Sequence, residues 1–350
     1  FTSSTTGTIE FGSGAGSGTV NLSGDFSKTN GAMTTTTAAA NVVFNMQGTT
    51  QTMQSTSTGT LLKWVNFTIA NGSTCTLVGD FNETGSAGTT GLISISSGGT
   101  LVTGTSIITG ANSTFTINSG GTLQIGSTAG ITTTGATGNI QTSTRNYSTG
   151  ANYVYNGTSA QVTGSGLTQN TPANITIDNS TSVSLSANTT ITGNVLISQG
   201  TFSASASNFD ITLNGNWTNN GTAFTGGSGS VTFTGTTETI SGSSSSTFGD
   251  LIIDNGTAVT MSNNNTCSSL TFNASASNSS LTHSGTAALT VNGAVTINQP
   301  SGGTTFTTAW NINAGSATVS GLISMAGTNT SARVTKIVLT TGTLNANGGI

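Results

Sequence analysis

Residues 44–53 read FNMQGTTQTM, residues 153–162 read YVYNGTSAQV and residues 231–240 read VTFTGTTETI. The three align without gaps. Apolar residues alternate up to Gly48, Gly157 and Gly235, and the next apolar residue falls five positions later, at Met53, Val162 and Ile240. Alternation with period two, broken by a Gly-Thr pair and then resumed, is the pattern of strand, turn and strand.

A second unit follows each copy. Phe67-x-Ile69-x-Asn71-Gly72-x-x-Cys75-x-Leu77 matches Ile175-x-Ile177-x-Asn179-Ser180-x-x-Val183-x-Leu185, and both match Leu251-x-Ile253-x-Asn255-Gly256-x-x-Val259-x-Met261. Asn-Gly and Asn-Ser suit a turn that needs a left-handed backbone position. Gly48, Asn71, Gly157, Asn179, Gly235 and Asn255 are therefore the expected structural turn positions. The larger repeats run over about 40–85, 150–193 and 229–272.

A shorter period lies inside them. Ser97-Gly98-Gly99-Thr100-Leu101 returns 22 residues later as Ser119-Gly120-Gly121-Thr122-Leu123, and Asn71 follows Gly48 by 23. Asn179 follows Gly157 by 22 and Asn255 follows Gly235 by 20. A repeat of this size is one coil of a solenoid, in which each coil buries its apolar face only by stacking on the next. The expected fold is an all-β parallel β-helix, or β-solenoid, running as one continuous body over 1–350. At 22 residues per coil it has about 16 coils, and at about 4.8 Å per coil it is roughly 75 Å long. The alternative is a row of tandem β-sandwich domains spaced like the larger repeats.

Composition agrees with stacking. Of 350 residues only 14 are Lys, Arg, Asp or Glu, whereas ordinary domains approach a quarter. Like charges placed one above another repel; Thr, Ser and Asn stack without that cost. The net charge of −4, with five scattered basic residues, offers no cationic face to nucleic acid. No apolar run is long enough for a membrane helix, so no membrane insertion is expected. The first residues, FTSSTTGTIE, show no signal segment and read as a processed or partial chain.

Candidate chemistry is sparse. Asp25 and Asp80 share one repeat slot with Asn216 and Ala294; Asp178 and Asp254 share another, filled by Ala70 in the first copy. Exchange with Asn or Ala is what local Asx turns allow. Among Asp178, Asp210, Asp250 and Asp254, only Asp250 with Asp254 forms an acidic pair to weigh as catalytic. His283 stands alone and is expected in a solvated strand or turn, so no metal or other cofactor is implied. Cys75 falls where the other copies have Val183 and Val259, and both it and Cys267 are expected as small buried residues. Trp64, Trp217 and Trp310 are the weak candidates for stacking on a sugar, although Trp217 occupies a slot held elsewhere by Phe26, Phe81 and Val295. Tyr153 and Tyr155 fill core slots in the same way. An ice-binding face needs Thr at one position coil after coil; Thr34–Thr37 and Thr132–Thr134 are clusters with no strict register.

Residues 120–166, with the following NITIDNSTSVSLSANTTITGNVLI, and residues 214–242 (NGNWTNNGTAFTGGSGSVTFTGTTETISG) resemble the repeat-rich secreted surface proteins of Bacteroidetes-type bacteria. The resemblance covers most of the chain. It implies export, by the type IX route, and display on the cell surface as an adhesin, stalk or filament; the C-terminal sorting domain usual in such proteins is not seen in the closing LNANGGI. The function expected from all this is an extracellular structural protein without catalysis, the stalk of an adhesin or the subunit of a fibre that adds end to end. A carbohydrate-binding adhesin region that contacts surface glycans is the alternative, with a polysaccharide-degrading enzyme or an ice-binding protein behind it.

Overall fold

The computed structural model describes residues 1–4, 7–12, 16–35, 41–55, 62–83, 91–204, 206–254, 256–301, 305–327 and 333–350. Asn255 and part of the Thr34–Thr37 cluster lie outside these. Among the described residues there is no helix, and every strand pairing is parallel. The strands stack as a β-solenoid of about 13 turns. Parallel pairing throughout excludes the sandwich alternative, whose sheets are antiparallel. The chain divides into two compact units, Phe1–Ala173 and Asn174–Ile350.

The repeats mark real coils. Phe44 pairs with Phe67 and Met46 with Ile69, so the second unit of the first copy lies one coil above the first. Val231 pairs with Leu251 and Phe233 with Ile253 in the same way. Thr100 and Leu101 pair with Thr122 and Leu123, at the 22-residue shift read from the sequence. Coil length nevertheless varies: Asp250 pairs with Ser269, only 19 residues on, and Thr114 with Thr144, 30 on. Extra residues at corners lower the count from about 16 to about 13, because a corner can lengthen without disturbing the ladders.

Alternation sends one set of residues inward. In the first unit Val20, Phe44, Phe67, Ile93 and Phe115 form one column. In the second, Leu213, Phe233, Ile253, Phe272 and Ile297 form another. Stacked coils also pack aromatic rings, as where Phe67 meets Phe26 edge-on at 4.8 Å. Each large apolar side chain buried this way contributes about 1.5–3 kcal/mol. Cys75 pairs with Gln51 and Leu101, Cys267 with Phe248 and Val291, and both are buried. Burial pushes each thiol up to about 12, which matches small core residues and not redox groups.

Candidate functional site

The polar side chains of this fold act mainly on its own backbone, and the corners show how. Gly48, Gly157 and Gly235 each end a strand. A Cβ at Gly48 lies 2.5 Å from the carbonyl oxygen of Ser23, and one at Gly157 lies 2.7 Å from that of Gly126. Glycine is required there by close approach to the coil below. At Asn71-Gly72 the reason is conformational, with φ of 75° at Gly72. Asn179 makes a local Asx turn inside a strand. It sits within the strand Asn174–Ser184 at a register irregularity, buried, and accepts from the N–H groups of Thr181 at 2.7 Å and Ser182 at 3.2 Å.

A buried amide closes two of the glycine corners. Gln51 Oε1 accepts from Gly48 N–H at 2.7 Å, while its Nε2 donates to Leu22 O at 2.9 Å and to Gly24 O. Gln161 Oε1 accepts from Gly157 N–H at 2.8 Å, and its Nε2 donates to Ile125 O and Ser127 O, both at 2.9 Å. Each amide thus clasps two coils. The ungapped alignment hides this, because Gln161 stands one residue later than Gln51 relative to its glycine. The same shift leaves Val162 exposed where Met53 and Ile240 are buried.

Asp25, Asp80, Asp178, Asp210 and Asp250 bond between coils, in place of the local Asx turns expected at Asp25, Asp80 and Asp178. Asp25 Oδ1 accepts from Thr52 N–H at 2.7 Å and Asp80 Oδ1 from Ile107 N–H at 3.0 Å, each 27 residues on. Asn216 does the same with Thr239 N–H at 2.9 Å, which explains why Asp and Asn exchange in this slot. Asp178 accepts from Gln199 Nε2 at 2.8 Å and Asp250 from Ser269 Oγ at 2.7 Å. Asp210 takes Ser230 N–H and Oγ at 2.8 and 2.9 Å. The reason is spacing: a short side chain pointing out of a ladder finds its nearest free donor one coil away, about 4.8 Å along the stack. Asp250 and Asp254 lie four residues apart on one extended segment, roughly 13 Å, beyond the 5–9.5 Å of paired glycosidase carboxylates.

His283 is buried, contrary to the solvated position expected. Its Nδ1 meets Ala287 O at 3.1 Å, and its Nε2 accepts from Trp310 Nε1–H at 3.0 Å. Burial lowers its basicity, and the indole donor leaves no place for a second ring proton. Trp310 is sealed in the core, as is Trp217, whose Nε1 donates to Ser246 Oγ at 3.0 Å. Of the three tryptophans only Trp64 is partly exposed, with a left-handed backbone at φ 59°. Tyr147, Tyr153 and Tyr155 are buried.

Arg145 has a structural role that composition did not suggest. The coil leading to it carries extra residues, whose tip, 134–137, is exposed. Arg145 lies beneath, buried, and holds this insertion by donating to Thr142 O at 3.1 Å, to Thr132 O at 3.0 Å, to Thr132 Oγ1 at 2.6 Å and to Gly135 O. Tyr147 Oη also donates to Thr132 O, at 3.1 Å. Carbonyls satisfy the guanidinium, and burial lowers its pKa.

The structure also supplies the register that the threonines lacked in sequence. Thr225, Thr247, Thr266, Thr290 and Thr318 form one outward column over five successive coils. Their separations run from 19 to 28 residues, so no fixed period reveals them. Among the described residues no group of three or more His, Cys, Asp or Glu could hold a metal ion, and no helix is long and apolar enough to cross a membrane. No family model, no curated protein and no solved structure matches this chain.

Proposed function

We propose that the chain is a non-catalytic structural element of the cell exterior, the stalk of a surface adhesin or the subunit of a surface fibre. What supports this is the use of its few reactive groups. Asp25, Asp80, Asp178, Asp210 and Asp250 bind donors of a neighbouring coil, and the imidazole of His283 is enclosed between a carbonyl and an indole. Side chains so engaged strengthen a ladder. The mechanism is mechanical: in each unit, force is shared among parallel backbone bonds and inter-coil staples. Surface fractionation with an antibody is expected to find the protein on the cell exterior, and a purely cytoplasmic pool overturns the reading. Incubation with a panel of polysaccharides is expected to release no product. Turnover that disappears in Asp250→Asn or Asp254→Asn sinks it in favour of an enzyme.

One observation favours a second reading. A column of five threonines, with hydroxyls repeating about every 4.8 Å, can order water. Ice-recrystallisation inhibition by the purified chain, lost in Thr247→Lys and Thr290→Lys, is the result this reading requires.

A further inference from the structure

The third glycine corner differs from the other two in one atom. Glu238 Oε1 accepts from Gly235 N–H at 2.7 Å, as Gln51 and Gln161 do at their glycines. The repeat supplies the same pair of carbonyls below. Thr234 N–H donates to Leu213 O just as Gln47 N–H donates to Leu22 O, and Leu213-x-Gly215 corresponds to Leu22-x-Gly24. In the first corner Nε2 of the amide donates to those carbonyls. In the third, the atom that replaces Nε2 is Glu238 Oε2, which is buried and has no hydrogen-bond partner; the repeat correspondence puts the two carbonyls of Leu213 and Gly215 opposite it. A carboxylate oxygen facing two carbonyl oxygens is repelled; a carboxylic acid O–H donates to one of them.

We propose that Glu238 is held as a neutral carboxylic acid that stands in for the glutamine of the other corners, giving a clasp between coils that opens when the proton leaves. The proton sits on Oε2 and is shared with Leu213 O or Gly215 O. Loss of it places an uncompensated charge in a sealed corner.

The surroundings agree. The strands packed against Thr237–Ser241 are Trp217–Asn219 and Ala258–Met261, and neither carries a titratable residue. The adjoining Ile211–Leu213 and Ser230–Phe233 carry none either. The nearby charged groups are Asp210, Asp250 and Asp254, all acids; His283 lies on the strand beyond Ala258–Met261. Burial pushes Glu238 up to about 7 from its ordinary 4.5, the single N–H of Gly235 only partly opposing it, and no cation lies on these strands. The folded chain then keeps a proton that the unfolded chain gives up between these values, so stability falls as pH rises through that window.

The test follows the whole chain from pH 5 to 8.5. Amide hydrogen exchange of the segment 230–241, corrected for intrinsic rates, is measured in the wild type, Glu238→Gln and Glu238→Met, beside thermal unfolding. Relative to Glu238→Gln, the wild type is expected to lose roughly 100-fold in protection at the corner over this range. Glu238→Gln is expected to be the more stable at pH 8.5. Glu238→Met, which cannot donate, is expected to be less protected than the wild type at pH 5. Equal pH slopes for wild type and Glu238→Gln overturn the proposal, as does a Met variant as protected as wild type at pH 5. Should the variants not fold, the carboxyl ¹³C shift of Glu238 in the wild-type chain decides: an ionised carboxyl at pH 5.5 overturns the proposal.

Discussion

Arg145 in one unit and His283 in the other are both buried nitrogen bases, and the fold leaves one charged and the other neutral. Arg145 meets only oxygen acceptors, at Thr132, Gly135 and Thr142, and carries its charge into the corner. His283 meets an acceptor on one nitrogen, at Ala287 O, and a donor on the other, at Trp310 Nε1–H, and stays neutral. The direction of the surrounding hydrogen bonds selects the ionisation state, and burial alone does not. A cation surrounded by carbonyls needs no counter-ion close by, because several oriented dipoles do the same work.

The largest test of this contrast is Arg145→Ala. The carbonyls of Thr142 and Gly135 lose the guanidinium donor, Thr132 O keeps only Tyr147 Oη, and a buried volume empties, so about 3 kcal/mol of stability should go. Limited proteolysis should then cut within 131–138, where the wild type resists. Arg145→Lys is expected to rescue little, since a single ammonium cannot fork to all three carbonyls. Uncut variants with wild-type unfolding would break the argument for the carbonyl-held cation.

Next comes Trp310→Phe, which removes the donor facing His283 Nε2. The orphaned nitrogen should cost about 1–3 kcal/mol near neutral pH. The sign of the pH effect sharpens the comparison. His283 is less basic in the folded chain than its ordinary 6.5, so the unfolded chain takes the proton first. Wild-type stability is therefore lost as pH falls below about 6.5. In Trp310→Phe that acid loss should shrink, because the freed nitrogen accepts a proton more readily. Thermal unfolding from pH 4 to 7 reads both; an unchanged acid slope in the variant counts against the indole as the controlling donor.

Two smaller effects probe the rest of the stack. Thiol reagents at pH 8 should leave Cys75 and Cys267 unmodified until the chain unfolds, since both thiols are buried with pKa pushed up to about 12. Labelling of the native chain would contradict their core positions. Raising salt from 0.05 to 0.5 M should leave the unfolding midpoint nearly unchanged, because exposed charges are few and their bonds are mainly to uncharged donors.

Much of the architecture could be read from residues. Two-residue alternation around Gly48, Gly157 and Gly235, and the shift from Thr100-Leu101 to Thr122-Leu123, point to stacked parallel coils. What escaped was set by neighbours in space. Trp310 lies 27 residues from His283, and nothing local to SLTHSGT announces burial. Asp25 and Asp80 look like turn residues until their partners, 27 positions away, are seen. The threonine column is invisible to any constant period because coils differ in length at the corners. The amide clasp was concealed by a one-residue slip between Gln51 and Gln161. A usable signal existed there: a Gln or Glu three or four residues after each of these glycines.

Most backbone staples between coils share one direction, although Tyr147 and Ser246 donate the other way, to Gln169 and Asn265 of a later coil. Asp25, Asp80, Asn194, Asn208, Asn216 and Asn278 each belong to an earlier coil and receive an N–H from a later one. A coil once formed therefore presents oriented acceptors to the chain that follows, and the next coil finds its register already written. For a polypeptide emerging N-terminus first, folding becomes a queue in which most arrivals are positioned by their predecessors, with no need to await the far end.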